Sequence, residues 1–355
     1  VNEVSVLGPG ASPFTPPLLS VNSLDVTLGH GWRATRVLSG VDLRVWPGEI
    51  VGLVGETGSG KTTIARAIVG LVKIAGGTIT VAGKQISGLR GRARRAQRRE
   101  GTVRLIFQDP LRSLDPDLTV ASIVAEGLRI RGGMSSAEIS QRVRQALADV
   151  GLDDSLLDRT PGQISGGQRQ RVSIARALAT DPRLLICDEP VSALDASTRN
   201  HVLRLMDELR TSLGLSMLII SHDLSSLAGI ADRIAVLYRG QIVEYGPADQ
   251  VFTAPRHPYT ALLMASAPSV RHDRPYSVRQ LRRSGADSDT ENVQAGVANG
   301  CVFVARCPFA IPACAVRPEL EPIGDGWEVA CHLQAEWPEL AAGRSDELVT
   351  DAAGR

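Results

Sequence analysis

The sequence predicts an α/β fold organised on a parallel sheet, and three observations carry that expectation. The apolar run Ile50-Val51-Gly52-Leu53-Val54 leads directly into a Gly-rich stretch, Gly55 to Thr63, and a helical pattern follows from Ile64 to Val69. Two further runs of strand length, Leu184-Leu185-Ile186-Cys187 and Met217-Leu218-Ile219-Ile220, are wholly apolar and end in polar residues. Between them Val202, Leu203, Leu205, Met206 and Leu209 recur at helical spacing. Alternating strand and helix, with strands apolar on both sides, is the pattern of a sheet covered on both faces.

Taken in order, residues 1–17 hold Gly8-Pro9-Gly10, Pro13 and Pro16-Pro17 and read as a disordered lead-in. Leu24 to Leu28 alternates, and a Gly-rich loop leads to Arg36-Val37-Leu38 and Val41 to Val45, which predicts an N-terminal antiparallel β-subdomain. Pro47-Gly48-Glu49 is a turn, and Gly76 to Gly83 reads as a short hairpin. Arg90 to Arg99 carries six arginines without interleaved aromatics, the composition of a solvated helix face rather than a nucleic-acid patch. Val103 to Phe107 is a further strand. Val120, Ile123, Val124 and Leu128, then Ile139, Val143, Leu147 and Val150, mark two helices broken at Gly132-Gly133. Ser135 and Glu138 form a capping-box start to the second. A third helix is expected from Arg169 to about Ala179, so a helical subdomain spans about residues 112–176. Ile234 to Tyr238 and Gln241 to Tyr245 flank Arg239-Gly240 as a hairpin. The character changes after Gly246-Pro247. Residues 251–335 form an extension opened by His257-Pro258-Tyr259, and 336–355 read as a flexible tail.

The 355 residues suffice for a substantial core, and a formal net charge of +1 gives no reason to expect nucleic acid. No apolar run approaches the roughly 18–20 residues of a membrane span, and no signal-peptide pattern opens the sequence. We therefore expect a cytosolic protein whose five cysteines are reduced or metal-bound.

The chemistry starts at Gly55-Glu56-Thr57-Gly58-Ser59-Gly60-Lys61-Thr62-Thr63, which matches the phosphate-binding pattern G-x-x-x-x-G-K-[ST]. Glycines let backbone N–H groups approach phosphate oxygens, and the following helix turns its positive end to the same anion. Lys61 is one of only three lysines and is placed to reach the β- and γ-phosphates, with the Thr62 hydroxyl on Mg²⁺. Asp188, ending an apolar strand, is the carboxylate expected to hold Mg²⁺ opposite Thr62. Glu189, one residue on, can polarise an attacking water. Gln108 follows a separate strand and is assigned to the γ-phosphate or its metal; His222, also at a strand end, to the γ-phosphate. Ligands in open α/β sheets bind beyond the carboxyl ends of strands, where these four groups would meet.

This ordered set resembles the ATP-binding subunits of ABC transporters. The resemblance implies an ABC nucleotide-binding domain over residues 18–250, built on a P-loop NTPase (RecA-like) core. Ile164-Ser165-Gly166-Gly167-Gln168 is similar to the family's signature motif, with Ile for the usual Leu, and Ser192-Ala193-Leu194-Asp195 to its D-loop. By resemblance, Ser165, Gly166, Gly167, Gln168 and Asp195 serve the ATP held by a facing subunit in a head-to-tail dimer. An adenine-stacking aromatic is expected near Leu28 to Trp32, and His30 and Trp32 are both candidates.

Gln108 to Pro116, Pro255 to Thr260 and Gly300 to Phe309 resemble the oligopeptide/dipeptide importer branch. That implies an ATPase energising peptide import from the cytoplasmic face of the membrane. Its expected partners are a second ATPase chain, two permeases and, through them, an extracytoplasmic binding protein, with no nucleic acid. Nickel, glutathione or sugar cargo, and a soluble ABC ATPase acting on nucleic acid or ribosomes, are the alternatives. Cys301, Cys307, Cys314 and Cys331 follow C-x5-C-x6-C-x16-C. Four thiolates in a loop-like segment can hold a [4Fe–4S] cluster or a structural Zn²⁺. The absence of C-x2-C pairs argues against a ribbon-type zinc site, and the branch resemblance favours iron–sulfur. A metal-stapled C-terminal extension is thus expected, and Cys187 reads as a packed core residue.

Overall fold

The structure, a computed structural model, describes residues 15–29, 31, 34–109, 113–192, 194–266, 276–282 and 300–342. The described residues divide into two units, one within 15–52 and 62–221, the other within 53–61 and 222–342. The lead-in lies almost wholly outside the described residues.

In the first unit β1 (Leu19–Leu28) pairs antiparallel with β2 (Thr35–Val45) and with β4 (Gly76–Val81), and β5 (Lys84–Gln85) closes the order β2-β1-β4-β5. Val21, Leu24, Val26, Leu38, Val41 and Leu43 are buried, so the alternation read in the sequence is one face of this sheet on the core. The same unit holds β6 (Val103–Ile106), β7 (Leu184–Asp188) and β8 (Ser216–Ser221), which run parallel with Val103 opposite Leu184 and Leu184 opposite Ser216. The start of β3 (Ile50–Val54) lies beside β8. All residues of β3, β7 and β8 are buried, Cys187 included, as their apolar sequences require. The result is an α/β fold with one antiparallel and one mixed sheet.

Among the described residues, six α-helices belong to this unit wholly or in part: α1 (Lys61–Ile68), α2 (Gly91–Glu100), α3 (Val120–Arg131), α4 (Ser136–Asp149), α5 (Gly166–Leu178) and α6 (Ala196–Leu213). The Arg-rich α2 buries no residue, and Arg98 donates to the Gly70 carbonyl at 2.6 Å. Ser135 and Glu138 close the expected capping box at α4. Helix α5 starts at Gly166, three residues before the expected Arg169, because Ser165 caps it. Capping polar atoms, not the first apolar residue, set where a helix begins.

In the second unit β9 (Arg233–Tyr238) and β10 (Gln241–Pro247) form the expected hairpin. The extension adds two strands that the sequence pattern misses. β12 (Trp327–Val329) pairs with β10 through Glu244 and Tyr245, and β11 (Glu321–Gly324) pairs with β12, giving β11-β12-β10-β9 followed by the end of β3. Trp327 lies against Gly246, where any Cβ would overlap the indole. Helices α7 (Ala248–Thr253) and α8 (Pro258–Ser266) follow β10. The chain stays packed past residue 335: Trp337 and Ala341 are fully buried, and the Trp337 indole contacts Tyr276 and Phe309 at 5.1 and 5.8 Å between centroids. Residues 343–355 of the expected flexible tail lie outside the described residues.

Candidate functional site

The phosphate-binding stretch leaves β3 and enters α1, as its sequence order dictates. Gly55 has φ +156°, and a Cβ there would overlap the Leu237 carbonyl oxygen on β9, so only glycine lets the loop lie this close to the strand. The Gly240 N–H donates to the Ser59 carbonyl at 2.8 Å and holds the loop from the β9–β10 turn. Lys61 is buried and folds back across the loop, donating to the carbonyls of Gly55 at 2.8 Å and Glu56 at 2.9 Å. The Ser59 hydroxyl is buried and without a partner among the described residues. An unpaired buried hydroxyl costs about 1–3 kcal/mol, and a spare donor in a Gly-rich loop at the start of a helix is suited to an anion.

In the first unit the parallel register aligns the ends of β6 and β7, Ile106 opposite Cys187. Two residues past β6, Gln108 Nε2 donates to Glu189 Oε2 at 2.7 Å. The Thr62 hydroxyl donates to Asp188 Oδ1 at 3.2 Å. Two hard oxygen donors side by side suit Mg²⁺. Glu189 has φ +49°, and its N–H donates to the Ile220 carbonyl at 2.9 Å. A left-handed conformation costs a non-glycine residue roughly 1–2 kcal/mol, here held by that bond to β8. His222, the residue after β8, is exposed at the start of a stretch of the second unit.

The signature segment makes a helix N-terminus. Ser165 Oγ accepts from Gln168 N at 3.2 Å while Gln168 Oε1 accepts from Ser165 N at 2.8 Å, a reciprocal box opening α5. Gly166 and Gly167 occupy its first turn, and a Cβ on Gly167 would press on Thr198 of α6. Asp195 caps α6, accepting from the N–H groups of Ser197 and Thr198 at 3.1 and 3.0 Å. Hydrogen bonds from the Ser197 side chain and the Thr198 backbone hold its carboxyl below the usual range, so it is ionised. Ala193 of the D-loop-like stretch, and both adenine-stacking candidates, His30 and Trp32, lie outside the described residues.

In the second unit Cys301, Cys307, Cys314 and Cys331 line one small cavity with Phe303, Phe309 and Leu333. The Cys301 N–H donates to the Cys314 carbonyl at 2.9 Å, tying two of the four segments together. Burial, with the thiols of Cys307, Cys301 and Cys314 nearby, pushes Cys331 up to about 12. Among the described residues no group of three or more His, Cys, Asp or Glu that could hold a metal ion is found, so the expected metal-stapled extension gains no support from this geometry.

Three residues with clear roles here escape the sequence reading. The Tyr259 hydroxyl accepts from the Glu56 N–H at 2.9 Å, and Arg306 Nη1 pairs with both Glu56 oxygens at 3.0 and 2.9 Å, so the extension grips the phosphate-binding loop. Glu244 is fully buried and accepts from Arg256 N, His257 N and Trp327 Nε1 at 2.8, 3.0 and 3.0 Å. Burial pushes its carboxyl up to about 7, and burial pushes His257 down to about 3. The one available signal was a glutamate in an otherwise apolar strand, Gln241 to Tyr245.

Comparison with known proteins gives two family matches, ABC transporter over residues 38–192 and oligopeptide/dipeptide transporter C-terminal region over residues 243–314. A peptide import ATP-binding protein of Brucella ovis is 42% identical over 316 residues, covering 89% of this chain and 97% of that protein. The oligopeptide transport ATP-binding protein OppF of Escherichia coli is 43% identical over 291 residues, covering 81% and 85%. Among solved structures, the dimeric post-hydrolysis cassette MJ0796 bound to ADP and phosphate superposes with TM-score 0.59 at 29% identity, covering 65% of this chain and 98% of that one. cbiO1 of Clostridium perfringens, part of the cbiONQ transporter complex, gives 0.60 at 28%, covering 67% and 91%.

Proposed function

Because the chain belongs to the ATP-binding subunits of ABC transporters and carries the oligopeptide/dipeptide C-terminal region, we propose that it hydrolyses ATP to drive peptide import. The observation that carries this reading is the pair of contacts at the ends of adjacent parallel strands, Thr62 with Asp188 and Gln108 with Glu189. Gly55 to Thr63 would cradle the phosphates, with the Ser59 hydroxyl as a ready donor, and Lys61 and His222 would contact the γ-phosphate. Thr62, Asp188 and Gln108 would hold Mg²⁺, which supplies positive charge to the transferring phosphoryl group. Glu189, fixed by its backbone bond and by Gln108, orients the lytic water and accepts its proton.

This set is half of a site. Ser165 is exposed, and the first-turn amides of Gly166 and Gly167 have no intrahelical acceptor, so the N-terminus of α5 can receive the γ-phosphate held by a facing subunit. Gln168 and Asp195 lie with it on the dimer face. The partner is a second ATPase chain; two permeases would receive the stroke, and through them a binding protein outside. No described helix is long and apolar enough to cross a membrane; attachment at the cytoplasmic face would run through those permeases.

The cysteine segment completes the reading. A single Zn²⁺, with Zn–S bonds of about 2.3 Å, needs four sulfurs converging on one point, whereas a [4Fe–4S] cluster occupies the space between more widely set thiolates. The likeness to the oligopeptide/dipeptide C-terminal region supports the cluster over zinc, and the four cysteines line one cavity. It would staple this loop-rich segment around its buried aromatics Phe303 and Phe309.

Glu189→Gln tests the assignment. Turnover should fall at least about a hundredfold, the range of a lost general base, while ATP then holds the two subunits together on a sizing column. Unchanged hydrolysis would remove Glu189 from this role.

A further inference from the structure

We propose that Arg306 is a positioning residue for the phosphate-binding loop, so that the C-terminal extension supplies part of the nucleotide site; the proposal rests on the ATP-binding reading. Glu56 is the second residue of that loop. A loop this short keeps its carboxylate within a Debye length, ~8–10 Å, of any phosphate the loop cradles, where it opposes an anionic ligand. Arg306 answers that charge, one nitrogen meeting both carboxylate oxygens at 3.0 and 2.9 Å and also donating to the Tyr238 hydroxyl at 3.4 Å. Its guanidinium carbon lies 5.8 Å from the ring centroids of both Tyr238 and Phe303.

The backbone of Glu56 is fixed from the same side, its N–H donating to Tyr259, whose ring packs 4.4 Å from Tyr238 and 5.5 Å from Phe303. Loop, hairpin strand β9, helix α8 and the cysteine segment thus meet at one charge pair. The pair is not there for global stability: its side chains are 32% and 43% exposed, and pairs this open contribute little to folding. Its effect is local, on the potential and the shape of the loop. Arg306 directly precedes Cys307, so the order of the cysteine segment reaches the phosphates through this side chain.

The experiment measures the Kd of ADP by calorimetry on the full chain. Arg306→Ala should weaken ADP by about fivefold, the upper range for a partly exposed pair, and steepen the loss with falling salt. Arg306→Lys should bind like wild type, which shows that the Ala variant loses charge rather than fold. Glu56→Gln combined with Arg306→Ala should recover to within about twofold of wild type. Equal affinity in wild type and Arg306→Ala, or a double variant as weak as the single, would overturn the proposal. A wild-type chain that binds no ADP would instead fail the ATP-binding reading and take the proposal with it, whereas loss of binding in Lys61→Ala alone supports that reading.

Discussion

Glu244→Gln should unmask a pH dependence that the wild-type protein conceals. Glu244 and His257 are both buried and their titrations oppose each other. Burial raises Glu244 from an ordinary 4.5 to about 7, so the folded state keeps a proton that the unfolded state has lost, and stability declines as pH rises across that window. Burial lowers His257 from 6.5 to about 3, so the unfolded state gains a proton that the folded state refuses, and stability declines as pH falls across that window. Tyr259 N donates to His257 Nδ1 at 3.0 Å, which fits the neutral ring. Between pH 4.5 and 6.5 the two slopes cancel, with one proton on Glu244 when folded and one on His257 when unfolded. Glutamine removes the first and leaves the second, at ~1.4 kcal/mol per pH step. Across the window the variant should lose about 3 kcal/mol more than wild type as pH falls from 6.5 to 4.5. The amide also turns a donor toward one of three N–H groups, a cost that is constant with pH and drops out of the comparison. Urea denaturation of both proteins at pH 4.5, 5.5 and 6.5 measures it. Parallel pH profiles would refute the opposing titrations.

Trp337→Ala should destabilise the second unit by about 3–5 kcal/mol, since it empties a fully buried indole site and leaves the Arg256 carbonyl, now 2.7 Å from Nε1, without its donor. Trp337→Phe should cost less, roughly 2–3 kcal/mol, from the lost hydrogen bond and the smaller ring, both read by thermal melts. For the cysteine segment, protein purified without oxygen should be brown with about four irons per chain. Cys331→Ser should lose most of the iron, and a colourless, zinc-containing wild type would contradict the cluster.

The phosphate-binding half of the site is legible in the sequence because it is local. Strand, loop and helix are consecutive, and Asp188-Glu189 ends a strand whose apolar run cannot be mistaken. The pairing of Gln108 with Glu189 depends on parallel register across β6 and β7, yet each residue announces its place by ending a strand. The extension is less legible for the same physical reason reversed. β12 is three residues long and has no alternation; it is a strand only because Glu244 and Tyr245 present a free edge to it. Trp337 sits in a composition that reads as frayed, and its burial comes from Tyr276 and Phe309, distant in sequence. The Arg306–Glu56 pair spans 250 positions, beyond anything periodicity or spacing can reach.

Transport itself tests the central claim. Proteoliposomes holding the permeases, the partner ATPase and this chain should take up labelled peptide from the binding protein only when ATP is supplied, and exchange of this chain for Glu189→Gln should stop uptake. Peptide uptake that continues undiminished with Glu189→Gln would contradict the account.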